Sequence, residues 1–206
     1  MENTHEHSIK EKMKIVFATH NHNKAHEIQA LLNDQIELIT LDDIQCFEEI
    51  PETAATLEGN AKMKAAYVVE QFNMNCFADD TGLEIEALKN EPGVYSARYA
   101  GEDRDPEKNM ALVLEKLKDK SNRKARFRTV ISLYWQNEFH EFEGIVEGEI
   151  TTSKSGAKGF GYDPIFKPEN SEKTFAEMDL VEKNTMSHRA RAFEKMVVFL
   201  NTGVKP

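Results

Sequence analysis

Asp79-Asp80-Thr81-Gly82-Leu83-Glu84 sets two carboxylates side by side at the end of a short apolar run, residues 76–78. Adjacent carboxylates repel unless a cation or a basic group offsets their charge, so the pair reads as a metal site or as a solvated acidic turn. Magnesium suits the first reading, because it takes oxygen ligands and commonly uses one or two carboxylates with water and substrate phosphates. Upstream, Thr19-His20-Asn21-His22-Asn23-Lys24 lies between an apolar run and a helical pattern. A helix start offers free N–H groups and the positive end of a dipole, which favour an anion, and Lys24 adds a full charge. The loop lacks the glycines of a Walker motif, and an ordinary helix start accounts for it as well.

Three further segments carry chemistry-bearing side chains. Pro51-Glu52-Thr53, followed by Glu58-Gly59-Asn60-Ala61-Lys62-Met63-Lys64, puts Asn60 and Lys64 four apart on one helical face, where they either hold phosphate oxygens or stand in solvent. Gly159-Phe160-Gly161-Tyr162-Asp163-Pro164 combines glycines that permit unusual backbone angles with aromatics able to stack on a base; a structural aromatic turn is the alternative. Lys183 and Ser187-His188-Arg189 gather an ammonium, an imidazole and a guanidinium at another helix start, a pattern that capping and surface charge also produce.

Elements that would position these groups are legible around them. Residues 14–19 form an apolar strand, and Ala25, Ile28, Leu31 and Leu32 recur at helical spacing after the loop. Ala61, Ala65, Val68, Val69 and Phe72 mark a second helix, and residues 76–78 read as a strand entering a turn at 79–82. Asp105 caps a third helix with Pro106 at its first position and Met110, Val113, Leu114 and Leu117 on its buried face. Phe127, Thr129, Ile131 and Leu133 alternate along a strand at 126–135, with an antiparallel partner at 139–150 after the Gln136-Asn137-Glu138 turn. The last helix begins near Ser187 and carries Ala190, Phe193, Val197 and Leu200. A single folding unit over 13–202 is expected, with polar tails at 1–12 and 203–206.

The whole chain sets outer limits. Its 206 residues, 40% hydrophobic and 30% charged, suffice for one substantial core. A net charge of −10 works against non-specific binding to nucleic acid or anionic membrane, so a phosphate ligand must meet a local cationic pocket. No apolar run reaches the roughly 18 residues of a membrane span. Cys46 and Cys76 stand in no metal-like spacing and no signal-peptide pattern opens the chain, which predicts a reduced, cytoplasmic setting. In the first tail His5 and His7 are the only feature.

Taken together and in order, these segments resemble the inosine triphosphate pyrophosphatase family from residue 14 to about residue 200. Asp79-Asp80-Thr81-Gly82-Leu83, Pro92-Gly93-Val94-Tyr95-Ser96-Ala97-Arg98-Tyr99-Ala100-Gly101, the 160–164 loop and Ser187-His188-Arg189 carry the resemblance. It implies an α/β fold with a long mixed β-sheet flanked by helices, two lobes with a nucleotide cleft between them, and a homodimer. It also implies Mg2+-dependent hydrolysis of ITP, dITP or XTP to the nucleoside monophosphate and pyrophosphate. Carried over residue by residue, Thr19, His20, Asn21, His22, Asn23, Lys24 and Lys64 hold the triphosphate. Glu52 and Asp80 place the metal, and Asp80 is the general base. Thr81 contacts the substrate; Phe160, Gly161, Tyr162 and Asp163 shape the base pocket; Lys183, Ser187, His188 and Arg189 complete base recognition. His20 departs from the small residue common in the phosphate loop, and Ala54-Ala55 departs from a common glycine, which leaves Glu48, Glu49 and Glu52 as competing metal supports. A nucleotide-binding regulator without turnover is the alternative function, against which the intact acidic pair argues. A phosphotransferase is disfavoured because no Walker lysine motif is present.

Overall fold

A computed structural model describes residues 12–32 and 35–206. The tail read at residues 1–12, with His5 and His7, lies outside these except for the exposed Lys12. Seven strands make one sheet in the order β2-β1-β3-β5-β6-β7, with β4 added against β3: β1 Met13–Phe17, β2 Ile36–Ile39, β3 Cys76–Ile85, β4 Glu91–Gly93, β5 Lys124–Trp135, β6 Glu138–Ile150 and β7 Phe166–Pro168. β1 runs parallel to β2 and β3, and the remaining pairings are antiparallel, so the sheet is mixed. Among the described residues five α-helices accompany it: α1 His22–Gln29, α2 Leu57–Phe72, α3 Pro106–Lys116, α4 Leu180–Asn184 and α5 His188–Thr202.

Local chemistry explains where the helices start. Asn21 caps α1 by accepting from the amides of Asn23 and Lys24 at 3.0 and 3.2 Å. Thr56 caps α2 through Gly59 at 3.0 Å, and Asp105 caps α3 through Glu107 at 2.8 Å with proline inside the first turn. Such a cap stabilises a helix by about 1 kcal/mol. Between β5 and β6 only Gln136 and Asn137 intervene, at φ 50° and 68°, the positive angles a tight two-residue hairpin demands.

One sequence expectation fails. Residues 79–82 form no turn; β3 continues through them for ten residues, and Asp80 and Thr81 sit opposite Val130 and Thr129 of β5. Gly82 has a different reason for being glycine: a Cβ there would lie 2.7 Å from the carbonyl oxygen of Gly93 on β4. The acidic pair therefore stands in the middle of a strand, paired with β5.

The long strands β3, β5 and β6 carry separate cores along their length. At one end Leu83, Ile85, Phe127, Val146 and Phe166 pack with Met110 and Val113 of α3. At the other, Ile15, Phe17, Phe77, Ile131 and Phe142 pack with α1 and α5 on one face, while Val16, Cys76 and Ala78 pack with α2 on the opposite face. Phe17 and Phe77 stack with centroids 4.4 Å apart, a contact worth about 0.5–1.5 kcal/mol beyond its buried area. Two lobes result, and the acidic middle of β3 lies where they meet.

Candidate active site

A cleft of about 510 Å³ opens between the lobes. One wall comes from the β1–α1 loop, with Thr19, His20, Asn21, Asn23 and Lys24; Lys64 of α2, Glu52, Asp80 and Thr81 form its floor, and Phe160, Gly161, Tyr162, Asp163, Lys183, His188 and Arg189 its far end. Segments separated by more than a hundred residues thus converge, as their chemistry implies. His22 and Ser187 are the exceptions. His22 begins α1 and is exposed away from the cleft, while Ser187 is a buried N-cap whose hydroxyl accepts from the amide of Ala190 at 3.2 Å. Neither lines the wall.

The half-buried Lys24 and the buried Lys64, Lys183 and Arg189 are each tied to carboxylates. Lys24 donates to Asp79 at 3.0 Å and Lys64 pairs with Glu52. Lys183 bridges Glu27 at 2.7 Å and Asp163 at 2.6 Å. Arg189 pairs with Glu27 through Nη1 and with Asp79 through Nε at 3.1 Å, and its Nη2 donates to Thr81 at 3.2 Å. The expectation that Arg189 reads the base thus meets a guanidinium engaged by protein oxygens on all three nitrogens. Glu27, on the buried side of α1, clamps Lys183 and Arg189 together, and sequence reasoning missed it because its partners lie 156 and 162 residues away.

Protonation follows from this arrangement. Burial alone would raise the Asp79 carboxyl, but Lys24, Arg189 and Lys64 outweigh it and hold Asp79 well below the usual carboxylate range. Glu27 is likewise lowered, its burial outweighed by Arg189 and Lys183. Burial pushes the Lys24 ammonium below the ordinary lysine value, with Asp79 offsetting only part of the effect. Asp80 differs. Burial raises its carboxyl above the ordinary aspartate value against the pull of Lys64 and Lys24, and Glu52 raises it further. Among the described residues no ion pair within 4 Å joins Asp80; the amide of Thr81 donates to Oδ1 at 2.9 Å and the Asn60 side chain to Oδ2 at 3.0 Å. It is a half-buried carboxylate held in place by neutral donors, with its basicity raised and a face toward the cleft.

His188 is buried and neutral, because burial and then Arg189 and Lys183 push its imidazole far below the ordinary histidine value. Its ring lies on Phe127, centroids 4.7 Å apart. Gly144 of β6 makes room for it: a Cβ there would sit 2.0 Å from the carbonyl oxygen of His188, so the first turn of α5 rests directly on the strand. Of the three competing acids, Glu49 and Glu52 line the cleft, Glu52 beside Lys64. Glu48 is turned toward the Tyr67 hydroxyl at 2.7 Å, and the exposed Glu49 pairs with Arg104 at 3.1 Å. His20 reaches back to the backbone carbonyl of Glu48 at 2.8 Å, so the departure from a small residue ties the phosphate loop to the 48–52 segment.

Among the described residues no group of three or more metal-binding side chains is gathered. Glu52 and Asp80 nevertheless fit magnesium: both are oxygen donors, they are close enough for each charge to act on the other, and magnesium commonly needs only one or two carboxylates once phosphate oxygens are present. Among the described residues no helix is long and apolar enough to cross a membrane.

Residues 15–199 match the model of the Ham1 family. A dITP/XTP pyrophosphatase of Flavobacterium johnsoniae is 54% identical over 188 residues, covering 91% of this chain and 98% of the relative; that of Porphyromonas gingivalis is 50% identical over 188 residues, covering 91% and 97%. Among solved structures, the Ham1 protein of Staphylococcus aureus superposes with a TM-score of 0.83 at 38% identity, covering 93% of this chain and 100% of that one. A HAM1 protein from Coxiella burnetii gives 0.84 at 39% identity, covering 92% and 98%.

Proposed function

The chain belongs to the Ham1 family, and from that premise we propose how its cleft acts as a pyrophosphatase on non-standard purine nucleoside triphosphates. The reaction converts ITP, dITP or XTP to the nucleoside monophosphate and pyrophosphate. The observation that carries the assignment of roles is Asp80, a half-buried acid with raised basicity and no ion-pair partner among the described residues, set between a cationic phosphate end and an aromatic base end.

The triphosphate lies along the β1–α1 loop at Thr19, His20, Asn21 and Asn23, with Lys24 and Lys64 neutralising its oxygens. Lys64 is now paired with Glu52, so a phosphate that draws Lys64 away frees the Glu52 carboxylate. Glu52 and Asp80 would then hold Mg2+, which supplies charge neutralisation and orientation when bound. Asp80 accepts the proton of the attacking water, a contribution of typically about 10²- to 10⁴-fold, and fixed donors around the phosphates supply much of the remainder. Thr81 contacts the substrate from the neighbouring position. At the far end Phe160 flanks the base, Tyr162 is anchored through its hydroxyl to the carbonyl of Ser96 at 2.7 Å, and Lys183 and His188 face the 6-oxo edge.

The resemblance supports a homodimer. A net charge of −10 and two buried free cysteines support a reducing, cytoplasmic setting. Purified protein with magnesium, offered a panel of purine triphosphates with monophosphate and pyrophosphate measured separately, tests the activity. Stoichiometric pyrophosphate from ITP and XTP and very little from ATP or GTP is expected; release of orthophosphate instead, or binding without products, would refute it.

A further inference from the structure

We propose that Thr129 is a positioning residue for base recognition, its hydroxyl fixing His188 in the tautomer that carries the proton on Nε2. The inference rests on the reading above that the purine lies beside His188. Thr129 is fully buried on β5, opposite Thr81 of β3. Its Oγ1 lies 2.6 Å from Thr81 Oγ1 and 2.6 Å from His188 Nδ1. A hydroxyl has a single proton, so Thr129 donates along one of these contacts and accepts along the other.

The direction is set upstream. Arg189 Nη2 can only donate, and it donates to Thr81 Oγ1 at 3.2 Å. The Thr81 proton then has two destinations, Asp79 Oδ2 at 3.3 Å and Thr129 Oγ1 at 2.6 Å. A hydroxyl bonded to a carboxylate normally sits at about 2.5–2.7 Å, far shorter than the Asp79 contact. That carboxylate oxygen already accepts from Arg189 Nε at 3.1 Å. Thr81 therefore donates to Thr129, and Thr129 donates to His188. An Nδ1 that accepts leaves the imidazole proton on Nε2, the nitrogen not tied to Thr129. The stack on Phe127 keeps the ring from turning. An N–H in this position accepts a 6-oxo purine and sets donor against donor with a 6-amino purine, so a relay of two threonines converts a fixed arginine into a specificity element.

Nitrogen-15 spectra of histidine-labelled free protein at neutral pH test this, with H188Q used to assign the ring signals, beside kcat/KM for ITP and ATP. Wild type and Thr129→Ser are expected to show His188 bare at Nδ1 and protonated at Nε2, with the same ITP-to-ATP ratio. Thr129→Val should lose the single-tautomer signature and lower the ratio by about tenfold, roughly what one net hydrogen bond is worth. A proton on Nδ1 in wild type overturns the proposal, and so does an unchanged ratio or an unchanged tautomer in Thr129→Val. Should the valine variant not fold, the tautomer in wild type and Thr129→Ser decides. Failure of the wild type to hydrolyse ITP would sink the assigned activity while leaving the tautomer, read without substrate, to be judged on its own.

Discussion

Glu27→Gln is the most informative perturbation of the charge network, because it removes one charge and almost no volume. The carboxylate is buried between Lys183 and Arg189. Breaking a buried pair by neutralising one partner costs about 3–5 kcal/mol, chiefly by leaving the opposite charge uncompensated. Here both cations keep another acid, Asp163 for Lys183 and Asp79 for Arg189, which points to the lower end, about 3 kcal/mol. For a chain of this size, each 1 kcal/mol moves the midpoint by about 2–4 °C, so the variant should melt about 6–12 °C lower. The sign of the pH dependence adds a second check. Glu27 has a lowered folded pKa, so its stabilising contribution is present above the unfolded carboxylate value and is lost as pH falls through the folded one. Wild-type stability should therefore fall more steeply on acidification than that of the variant. Denaturant titrations over an acidic series, with an unchanged slope, supply both numbers. Neutralising the exposed acid of the Lys154–Glu107 pair should cost less than about 1 kcal/mol. A Glu27→Gln variant as stable as that control, with the same acid profile as wild type, would refute the clamp.

Asp80→Asn should keep the fold and lose at least about 100-fold in turnover, the lower end of a general base's contribution, as steady-state kinetics and melts would show. Lys24→Ala and Lys64→Ala should each weaken ITP binding more than inosine binding; equal losses in calorimetric titrations would assign these lysines to structure alone. Arg189→Ala should lower the melting temperature, because Glu27 and Asp79 lose their shared cation, and should also lower the ITP-to-ATP ratio of kcat/KM, because the donor that orients the Thr81–Thr129 relay is gone. An unchanged ratio would show that the proton on His188 does not depend on Arg189.

Features with local causes are legible in the amino-acid sequence. Asp105-Pro106 marks the start of α3, and Gln136-Asn137 marks the hairpin, because a cap or a tight turn depends on residues within three positions. Alternation along β5 tells its buried face. β2, β4, β7 and α4 escape notice because three to five residues are too few to show a period. The Asp-Asp-Thr-Gly composition suggests a turn, whereas β5, distant in sequence, holds it extended. The cleft residues emerge from chemistry and resemblance, yet their partners do not. Glu27 looks like any helical glutamate and Thr129 like any strand threonine until the fold brings each to its partners. Sequence adjacency draws His22 and Ser187 into the site, but a helix points neighbouring residues about 100° apart, and a capping side chain turns back to its own backbone.

The contact of Gly144 with the start of α5 is between main chains, and main chains cannot swing aside as side chains do. The wall that carries His188 therefore has its position before any nucleotide arrives. Little ordering entropy is lost there on binding, since no rotamer-rich side chain must be immobilised to complete it. The same stiffness makes the base end unforgiving of mismatch: a purine that offers a donor at its 6-position finds no slack in which to turn away, whereas the lysine-lined phosphate end can rearrange its pairs around whatever anion it receives. Discrimination belongs to the rigid end of the cleft and accommodation to the compliant one.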